Sequence, residues 1–267
     1  MNELLNIEPE KKYLFISDVH LGGFDSDKNS AIEKDLISML DYAETMEMEI
    51  IILGDLFDYW MEYPNQIPDV APAVLARFER LHAKKTRTLY ITGNHDNWTH
   101  TYFMNIGFDV EHECRMININ GQRVLLLHGD GLVEKSLGFP RPLLHRMIRN
   151  KNFVTMYKRI LPPSTGIGIT RYYSRINRKL KSNRQPGNPE LDTWAINRIK
   201  DGHADTVICG HHHKPIFKTL GKRVYMNLGN FFNDRMAGIY AHKSFYPVIW
   251  NGNSKTFTTS NMSYSTR

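Results

Sequence analysis

The sequence predicts an α/β fold in which two central mixed sheets are flanked by helices. The first observation is a set of five short apolar runs, each typical of a strand buried on both faces of a sheet: residues 13–16, 50–53, 88–91, 124–127 and 206–209. The second is the three- and four-residue spacing of apolar side chains over 31–43 and 73–83, which indicates helices between the strands. Pro72 suits a first helical turn.

The third observation is a change of pattern after His213. Alternating segments separated by Gly, Asn and Lys predict short strands at 216–219, 223–226, 238–241 and 246–250. We expect these strands to form antiparallel hairpins that close the second sheet. The polar stretch from Ser254 onward is expected to be loose.

Polar side chains follow each of the five apolar runs within a few residues. The candidate metal ligands among them are Asp18, His20, Asp55, Asn94, His128, His211 and His213. Open α/β sheets bind ligands beyond the carboxyl ends of their strands, so these side chains are expected to converge. The two-residue spacing within Asp18-Val-His20 and within His211-His-His213 predicts that each pair shares one side of an extended segment, with His212 pointing away.

The ligand types indicate the chemistry. Carboxylate, imidazole and amide oxygen suit Mn, Fe, Zn or Mg better than a soft metal. Two such ions can bind both the attacking and the departing oxygens of an in-line phosphoryl displacement. One carboxylate must then bridge the two ions, and we predict that Asp55 does so. Glycine directly precedes Asp55, Asn94 and His211, where a side chain would crowd the metals or the turn would need a positive φ.

Other polar residues have more ordinary explanations. Asp96 and Asp130 are expected either to support the ligands or to be plain turn residues. Six histidines outside the motifs are expected to be surface or satisfied core residues: His82, His100, His112, His145, His203 and His242.

From about Phe15 to His213 the motif series resembles the calcineurin-like metallophosphoesterase superfamily. The resemblance implies a four-layer metallophosphoesterase sandwich. It also implies that one metal is held by the residues Asp18, His20, Asp55 and His213, and the other by the residues Asp55, Asn94, His128 and His211. It further pairs His95 with Asp58 as the catalytic residues, with His95 off the metals, stabilising phosphate charge or protonating the leaving group.

Residues 135–184 form the unusual segment of the chain, because they include many Lys and Arg but no Asp or Glu, in a chain of formal net charge +6. Apolar residues recur at helical intervals, which predicts one or two basic amphipathic helices broken at Pro162-Pro163, with a flexible corner at Gly166 and Gly168. Such helices suit a membrane surface or an amphiphilic ligand. A helical hairpin with a solvated basic face and a nucleic-acid surface remain alternatives.

A closer resemblance favours the amphiphilic ligand. Asp-Val-His-Leu, Gly-Asp-Leu-Phe-Asp-Tyr-Trp, Gly-His-His-His-Lys-Pro and Tyr-Met-Asn-Leu-Gly-Asn are similar to motifs of the UDP-2,3-diacylglucosamine diphosphatase family, which acts in lipid A biosynthesis. The resemblance implies metal-assisted water attack on the α-phosphorus, giving UMP and 2,3-diacylglucosamine 1-phosphate. It places a helical lid at 132–187 within a single domain, 1–267. The substrate-binding candidates are Asn94, His95, Arg141, Arg149, Arg171 and Arg175.

One residue departs from that family. Its well-known members carry Arg where this chain has His95. The chain is therefore either a divergent branch of the same enzyme, or a related phosphodiesterase acting on nucleotides, nucleic acid or another lipid phosphate.

Composition agrees with a soluble enzyme, since 23% of residues are charged and 41% are hydrophobic. Cys114 and Cys209 form no spacing pattern, and neither a signal peptide nor a membrane-spanning run is visible. We therefore expect a cytoplasmic enzyme held peripherally at the inner membrane by its amphiphilic nucleotide-lipid substrate and lid, without a stable nucleic-acid partner. Two divalent ions are the expected cofactors, with manganese foremost.

Overall fold

The computed structural model describes residues 11–64, 66–84, 87–133, 138–182 and 188–260, except for the side chains of 173, 175 and 177–182. The strands described are β1 (Lys12–Ile16), β2 (Met48–Leu53), β3 (Leu89–Ile91), β4 (Asp109–Glu111), β5 (Cys114–Ile119), β6 (Gln122–Leu127), β7 (Thr206–Cys209), β8 (Ile216–Leu220), β9 (Arg223–Asn227), β10 (Met236–Ala241), β11 (Ser244–Asn251) and β12 (Thr256–Thr259). The helices described are α1 (Ser26–Thr45), α2 (Pro72–His82), α3 (Tyr102–Asn105), α4 (Leu143–Ile148), α5 (Lys151–Ile160), α6 (Pro163–Ser182), α7 (Pro189–Lys200) and α8 (Phe231–Asp234).

The strands form two mixed sheets. The first has the order β12-β11-β10-β1-β2-β3-β4, in which β1 to β4 are parallel and β10 to β12 are antiparallel. The second has the order β5-β6-β7-β9-β8, with β6, β7 and β9 parallel at its centre. Five of these parallel strands, β1, β2, β3, β6 and β7, carry the candidate ligands at their carboxyl ends.

Three apolar cores separate four layers. Helices α1 and α2 pack on the first sheet through residues such as Leu36 and Phe78, and α7 packs on the second sheet through Trp194 and Ile199. Between the sheets lies a third core that includes Phe15. Burial of these apolar faces on both sides of each sheet is the main source of stability for such layers. The predicted α/β fold of two central mixed sheets flanked by helices is confirmed.

The elements agree with the predicted ones in most places. All five apolar runs are strands (β1, β2, β3, β6 and β7), and the two spaced segments are α1 and α2, with Pro72 in the first turn. Two predictions are wrong. Strands β10 and β11 extend the first sheet beside β1 instead of closing the second, because alternation indicates a hairpin but not the sheet that the hairpin joins. The stretch after Ser254 contains strand β12, which pairs with β11.

The lid contains three helices in its described part, α4, α5 and α6. Helix α5 ends at Ile160 and α6 begins at Pro163, so the predicted break at the two prolines is present. The predicted flexible corner is wrong, since Gly166 and Gly168 lie inside α6. Of the helices described, none is both long and apolar enough to cross a bilayer. The lid bounds 132–187 stay a prediction, because 134–137 and 183–187 are outside the described residues.

Candidate metal centre

The seven candidate ligands come together where five strands end. Asp18 and His20 follow β1, Asp55 follows β2 and Asn94 follows β3, all in the first sheet. His128 follows β6, and His211 and His213 follow β7, in the second sheet. Because the carboxyl ends of these parallel strands open on one edge of the sandwich, side chains from both sheets share one pocket of donors.

One group of donor atoms surrounds His20. Its Nε2 lies 3.2 Å from His213 Nε2, 3.9 Å from Asp18 Oδ1 and 3.7 Å from Asp55 Oδ2. The Asp18 Oδ1 to His213 Nε2 distance is 3.2 Å. Two imidazole nitrogens and two carboxylate oxygens thus face a common point, which is the arrangement expected around a cation.

A second group surrounds His128. Its Nε2 lies 3.2 Å from Asn94 Oδ1, 3.2 Å from His211 Nδ1 and 3.4 Å from Asp55 Oδ2. The same oxygen of Asp55 therefore belongs to both groups. This is the position that a bridging carboxylate must take.

The backbone at the ligands is left-handed rather than extended. Positive φ values occur at Asp18 (52°), His20 (53°), Asp55 (52°), His211 (79°) and His213 (59°). The prediction of extended pairs is therefore wrong, although His212 does point away, toward Asp192 and Asn227. Left-handed backbone at non-glycine residues is unfavourable and tends to cluster at functional sites, where the surrounding structure enforces it.

Glycines make the close approach of the strands feasible. A Cβ on Gly93 would lie 2.0 Å from Asp55 Oδ1, and one on Gly210 would lie 2.3 Å from Asp18 Oδ2. Gly54 has a φ of +84° and would place a Cβ 2.4 Å from His128 Nδ1. Both reasons expected for these glycines, crowding at the ligands and positive φ, are thus present.

Hydrogen bonds with the backbone and with the Ser17 hydroxyl orient the ligands. Asp18 Oδ2 accepts from Ser17 Oγ (2.6 Å) and from the backbone N–H of His211 (2.9 Å). His128 Nδ1 donates to the carbonyl of Leu53 (2.8 Å), so its Nε2 faces the other donors. Bonds of this kind set ring tautomer and orientation at metal sites.

Asp96, buried just after Asn94, supports the loop after β3. Its carboxylate accepts from the backbone N–H of Gly93 (2.7 Å) and of Phe57 (3.3 Å), and from the hydroxyl of Tyr90. Asp96 is therefore a supporting residue and not a plain turn residue.

The electrostatics of the centre favour charged carboxylates. Burial on its own would raise the pKa of Asp55, but the charges of His128, His95 and His20 together outweigh it and hold that pKa well below its usual range. Burial on its own would lower the pKa of His128, yet the charges of Asp55, Asp18 and Asp130 together raise it to about 10. A protonated His128 and a metal cation would therefore compete for the same carboxylate, so a metal that binds at this site would displace protons.

The centre passes a test of fit for metal ions. Among the described residues, Asp18 Oδ1 is buried and accepts no hydrogen bond, although it faces two imidazoles. Its donor atom lies within 4.8 Å of those of His20 and His213, and the donor atoms of Asp55, His128 and His211 lie equally close to one another. Buried carboxylates are costly unless paired or bound to a cation. The donor set is mixed nitrogen and oxygen, which suits divalent ions but does not select one.

His95 lies beside the first group, with its ring centroid 4.8 Å from that of His20. Its contact with Asp58 differs from the expected one. His95 Nδ1 bonds the backbone carbonyl of Asp58 at 2.7 Å, whereas the Asp58 carboxylate is 4.0 Å away, too far for a hydrogen bond. That carboxylate instead accepts from Ser174 of α6.

Two of the lid arginines are bound to acidic residues. Arg149 bonds Asp130 at 2.9 and 3.1 Å and also the carbonyls of Thr92 and His112. The Arg141 guanidinium bonds Glu113 at 2.8 and 3.0 Å. Asp130 is therefore a supporting residue that holds Arg149 of the lid, and not a plain turn residue. The assignment of both arginines to substrate binding stays a prediction, but their guanidinium groups already tie the lid to the domain.

The other two predicted lid arginines lie on α6. The Arg171 guanidinium lies 5.4 Å over the ring of Tyr59. Arg175 is on the same helix, and its side chain is outside the described residues.

Two features of the centre were not predicted from the sequence. His145, expected to be an ordinary residue, lies on α4 with its ring 5.9 Å from that of His211 and its Nδ1 3.8 Å from Asp130. His212 is held by Asp192 of α7, which also accepts from Tyr225 (2.5 Å). The contacts of His145 with His211 and of Asp192 with His212 join separate elements of the chain, so only the tertiary structure reveals them.

Comparison with a family model and with sequence relatives agrees with the geometry. The family described as calcineurin-like phosphoesterase matches residues 11–215, which include all seven candidate ligands. A UDP-2,3-diacylglucosamine hydrolase of Porphyromonas gingivalis is 27% identical over 218 residues, covering 76% of this chain and 83% of that protein. A protein of the same name from Wigglesworthia glossinidia brevipalpis is 26% identical over 214 residues, covering 79% and 83%. Among solved structures, Yfce, a phosphoesterase from E. coli, is 16% identical with a TM-score of 0.45, covering 92% of this chain and 96% of that chain.

Proposed function

The chain belongs to the calcineurin-like phosphoesterase family and is a metal-dependent hydrolase, and from that premise we propose a substrate and a reaction. The proposed substrate is UDP-2,3-diacylglucosamine. Water attacks the α-phosphorus, the bond from that phosphorus to the bridging oxygen breaks, and the products are UMP and 2,3-diacylglucosamine 1-phosphate. The observation that carries the proposal is the pair of donor groups that share Asp55 Oδ2.

The ligand assignment follows the two groups. Asp18, His20, Asp55 and His213 would hold one ion, and Asp55, Asn94, His128 and His211 the other. When bound, two divalent ions lower the pKa of a water molecule toward neutral and offset the charge of the phosphate. Manganese is the ion we propose, with iron, zinc or magnesium compatible with the same donors.

His95 is proposed to act on the phosphate or on the departing group. Because Nδ1 bonds the carbonyl of Asp58, the atom left for the substrate is Nε2. A histidine in this place can contact a phosphate oxygen or transfer a proton to the leaving group. Asn94 belongs to the group around His128 and His95 lies beside the group around His20, so both side chains would meet a phosphate held between the two groups.

The composition of the lid helices is evidence for an amphiphilic substrate. Its helices expose apolar side chains that a soluble domain normally covers: Leu143, Leu144, Met147, Met156, Ile160, Ile169, Tyr172 and Ile176. Lys and Arg accompany them on the same segment, with no acidic residue between 135 and 184. We propose that these helices receive the acyl chains and rest peripherally on the cytoplasmic face of the inner membrane, with the bases near phosphates.

A second candidate function is a phosphodiesterase of the same family that acts on another nucleotide, nucleic acid or lipid phosphate. The observation that favours it is His95, where well-known UDP-2,3-diacylglucosamine diphosphatases carry Arg. Both candidates use the same donors, so only substrate preference separates them.

The test is a substrate panel: UDP-2,3-diacylglucosamine, a cyclic dinucleotide, single-stranded DNA and bis-p-nitrophenyl phosphate, each with added Mn²⁺ and after chelation. We expect Mn²⁺-dependent release of UMP from the lipid substrate at a rate well above those on the other substrates. In Asp55→Ala, we expect both this activity and the bound metal to be lost. Activity confined to the generic diester would discard the lipid substrate but keep the dimetal centre. Full turnover in Asp55→Ala would show that Asp55 is not the bridging ligand.

A further inference from the structure

Ser174 of lid helix α6 contacts the catalytic region directly. Its side chain is 3% exposed, and its Oγ donates to Asp58 Oδ2 at 2.6 Å. The same hydroxyl lies 3.4 Å from the backbone carbonyl oxygen of Asp58. A buried hydroxyl that donates to a carboxylate makes a short, charge-assisted bond, which is stronger than a neutral one. This bond joins residues 116 positions apart in the chain.

Asp58 lies between Ser174 and two histidines of the centre. Its backbone carbonyl holds His95 Nδ1 at 2.7 Å, and its Oδ1 is 3.4 Å from His20 Nδ1. Its backbone N–H is bound to the carbonyl of Leu21 (2.9 Å). The position of Asp58 therefore decides where the imidazole of His95 can lie.

The same face of α6 packs along the segment from Asp58 to Tyr63. A Cβ on Gly166 would lie 2.0 Å from Tyr63 Oη, so only glycine allows this approach. Ile167 packs against the core between the first sheet and its helices, and Arg171 lies over the ring of Tyr59. Positions 167, 171 and 174 recur at the three- and four-residue spacing of one helix face.

A different face of α6 is open to solvent. Ile169, Tyr172 and Ile176 are exposed at the same helical spacing. The helix thus joins two surfaces: one that packs on the residues around His95, and one suited to apolar groups. A change in how α6 lies on the domain would reach Asp58 through Ser174.

We propose that Ser174 is a positioning residue, which fixes Asp58 and through it the His95 imidazole, so that hydrolysis requires α6 to be docked. The inference rests on the catalytic role proposed for His95. It predicts that the lid contributes to the chemical step, in addition to any contact with acyl chains.

The test compares Ser174→Ala with a matched variant of the same helix. Thr170→Ala removes a hydroxyl one turn earlier, which donates only to the carbonyl of Gly166 (3.1 Å). Both variants are assayed on the lipid substrate and on bis-p-nitrophenyl phosphate, which has no acyl chains to meet the lid. We expect Ser174→Ala to lower kcat about tenfold on both substrates with little change in KM, because a displaced imidazole loses its alignment with the phosphate. Thr170→Ala should stay near the parent rate, and Ser174→Thr, which keeps the hydroxyl, should recover most of the loss.

Further measurements separate positioning from folding and from substrate contact. Bound metal should be retained in Ser174→Ala, and although the loss of a buried hydrogen bond lowers the melting temperature, the variant should stay folded at the assay temperature. An unchanged kcat on bis-p-nitrophenyl phosphate, or an effect confined to KM of the lipid substrate, would overturn the inference. So would a rate loss matched by Thr170→Ala or accompanied by loss of metal.

His95→Ala is measured alongside to keep the two proposals apart. We expect it to lower kcat by roughly 10²-fold with metal retained. If His95→Ala is slow and Ser174→Ala is not, only the role of Ser174 fails. If His95→Ala keeps the parent rate, the catalytic role of His95 fails, and with it the role of Ser174.

Discussion

The ligand cluster and the lid are held in opposite ways. In the cluster, Asp18, His20, Asp55 and His128 are almost wholly buried, and the backbone at most ligands takes an unfavourable left-handed conformation enforced by the strand ends. In α4 and α5, all of whose residues the structure describes, no side chain is buried. The lid is attached instead by a few specific contacts, such as Arg149 with Asp130 and Trp98 Nε1 with the carbonyl of Ile148.

The two regions suit different parts of the proposed reaction. A dimetal centre needs ligand positions that do not change, and the two sheets supply them at the price of local backbone strain. The proposed substrate is large, so the lid proposed to admit it would have to move at low cost, and weakly buried helices permit this. On the function proposed above, the contacts that join the two regions are the ones that would decide whether the lid helices reach the metal site.

Glycine substitutions give the largest expected contrast between the regions. Gly93→Ala changes no ligand, but its Cβ would lie 2.0 Å from Asp55 Oδ1 and 2.6 Å from the backbone nitrogen of Asp55. We expect bound metal and turnover to be lost almost completely, as measured by metal analysis after dialysis and by phosphodiester hydrolysis.

The matched control for Gly93→Ala is Gly168→Ala in α6, where nothing lies within 4 Å of the added Cβ. It should keep metal and turnover, and should stabilise the protein by about 0.5–1 kcal/mol, because alanine is the better helix former. Equal effects of the two substitutions would contradict the contrast between a rigid cluster and a tolerant lid.

The sequence was most informative about the rigid region. Apolar runs ending in Asp, Asn and His predicted the strands and the convergence of their polar ends, because the direction of a parallel strand determines which edge its last residue reaches. The left-handed backbone at His20 or His213 could not be predicted, since it results from how the two sheets pack. The same holds for Ser174 and His145, whose partners lie far away in sequence, and for the strands β10 and β11, whose hairpin pattern is compatible with either sheet.

Removal of the ion pair between Arg149 and Asp130 should have an intermediate effect on the free energy of unfolding. Both side chains are almost completely buried, so Arg149→Met leaves the carboxylate without its main partner. We expect a loss of about 3 kcal/mol in the free energy of unfolding, measured with urea, with bound metal retained. Arg123→Met, which removes an ion pair to Asp205 from the surface, should cost no more than about 1 kcal/mol. Similar losses in both variants would mean that Arg149 does little to hold the lid on the domain.

Substitution of Asp192 should have the smallest effect on stability. It tests whether the bond from Asp192 to His212 helps to hold the ligands His211 and His213. Burial on its own would raise the pKa of Asp192, but hydrogen bonds from His212 and Tyr225 outweigh it and lower that pKa below its ordinary value of 3.8. A carboxyl whose folded pKa is lowered stabilises the folded state above its ordinary pKa, and this contribution is lost as the pH falls through the folded value. Asp192→Asn should therefore lower the free energy of unfolding by about 1 kcal/mol at neutral pH. This gap, the difference in free energy of unfolding between the variant and the parent protein, should close as the pH falls below about 4. Urea unfolding of both proteins between pH 7 and pH 3 measures this gap; a gap that stays constant with pH would show that the Asp192 charge does not help to hold the loop of His211 and His213.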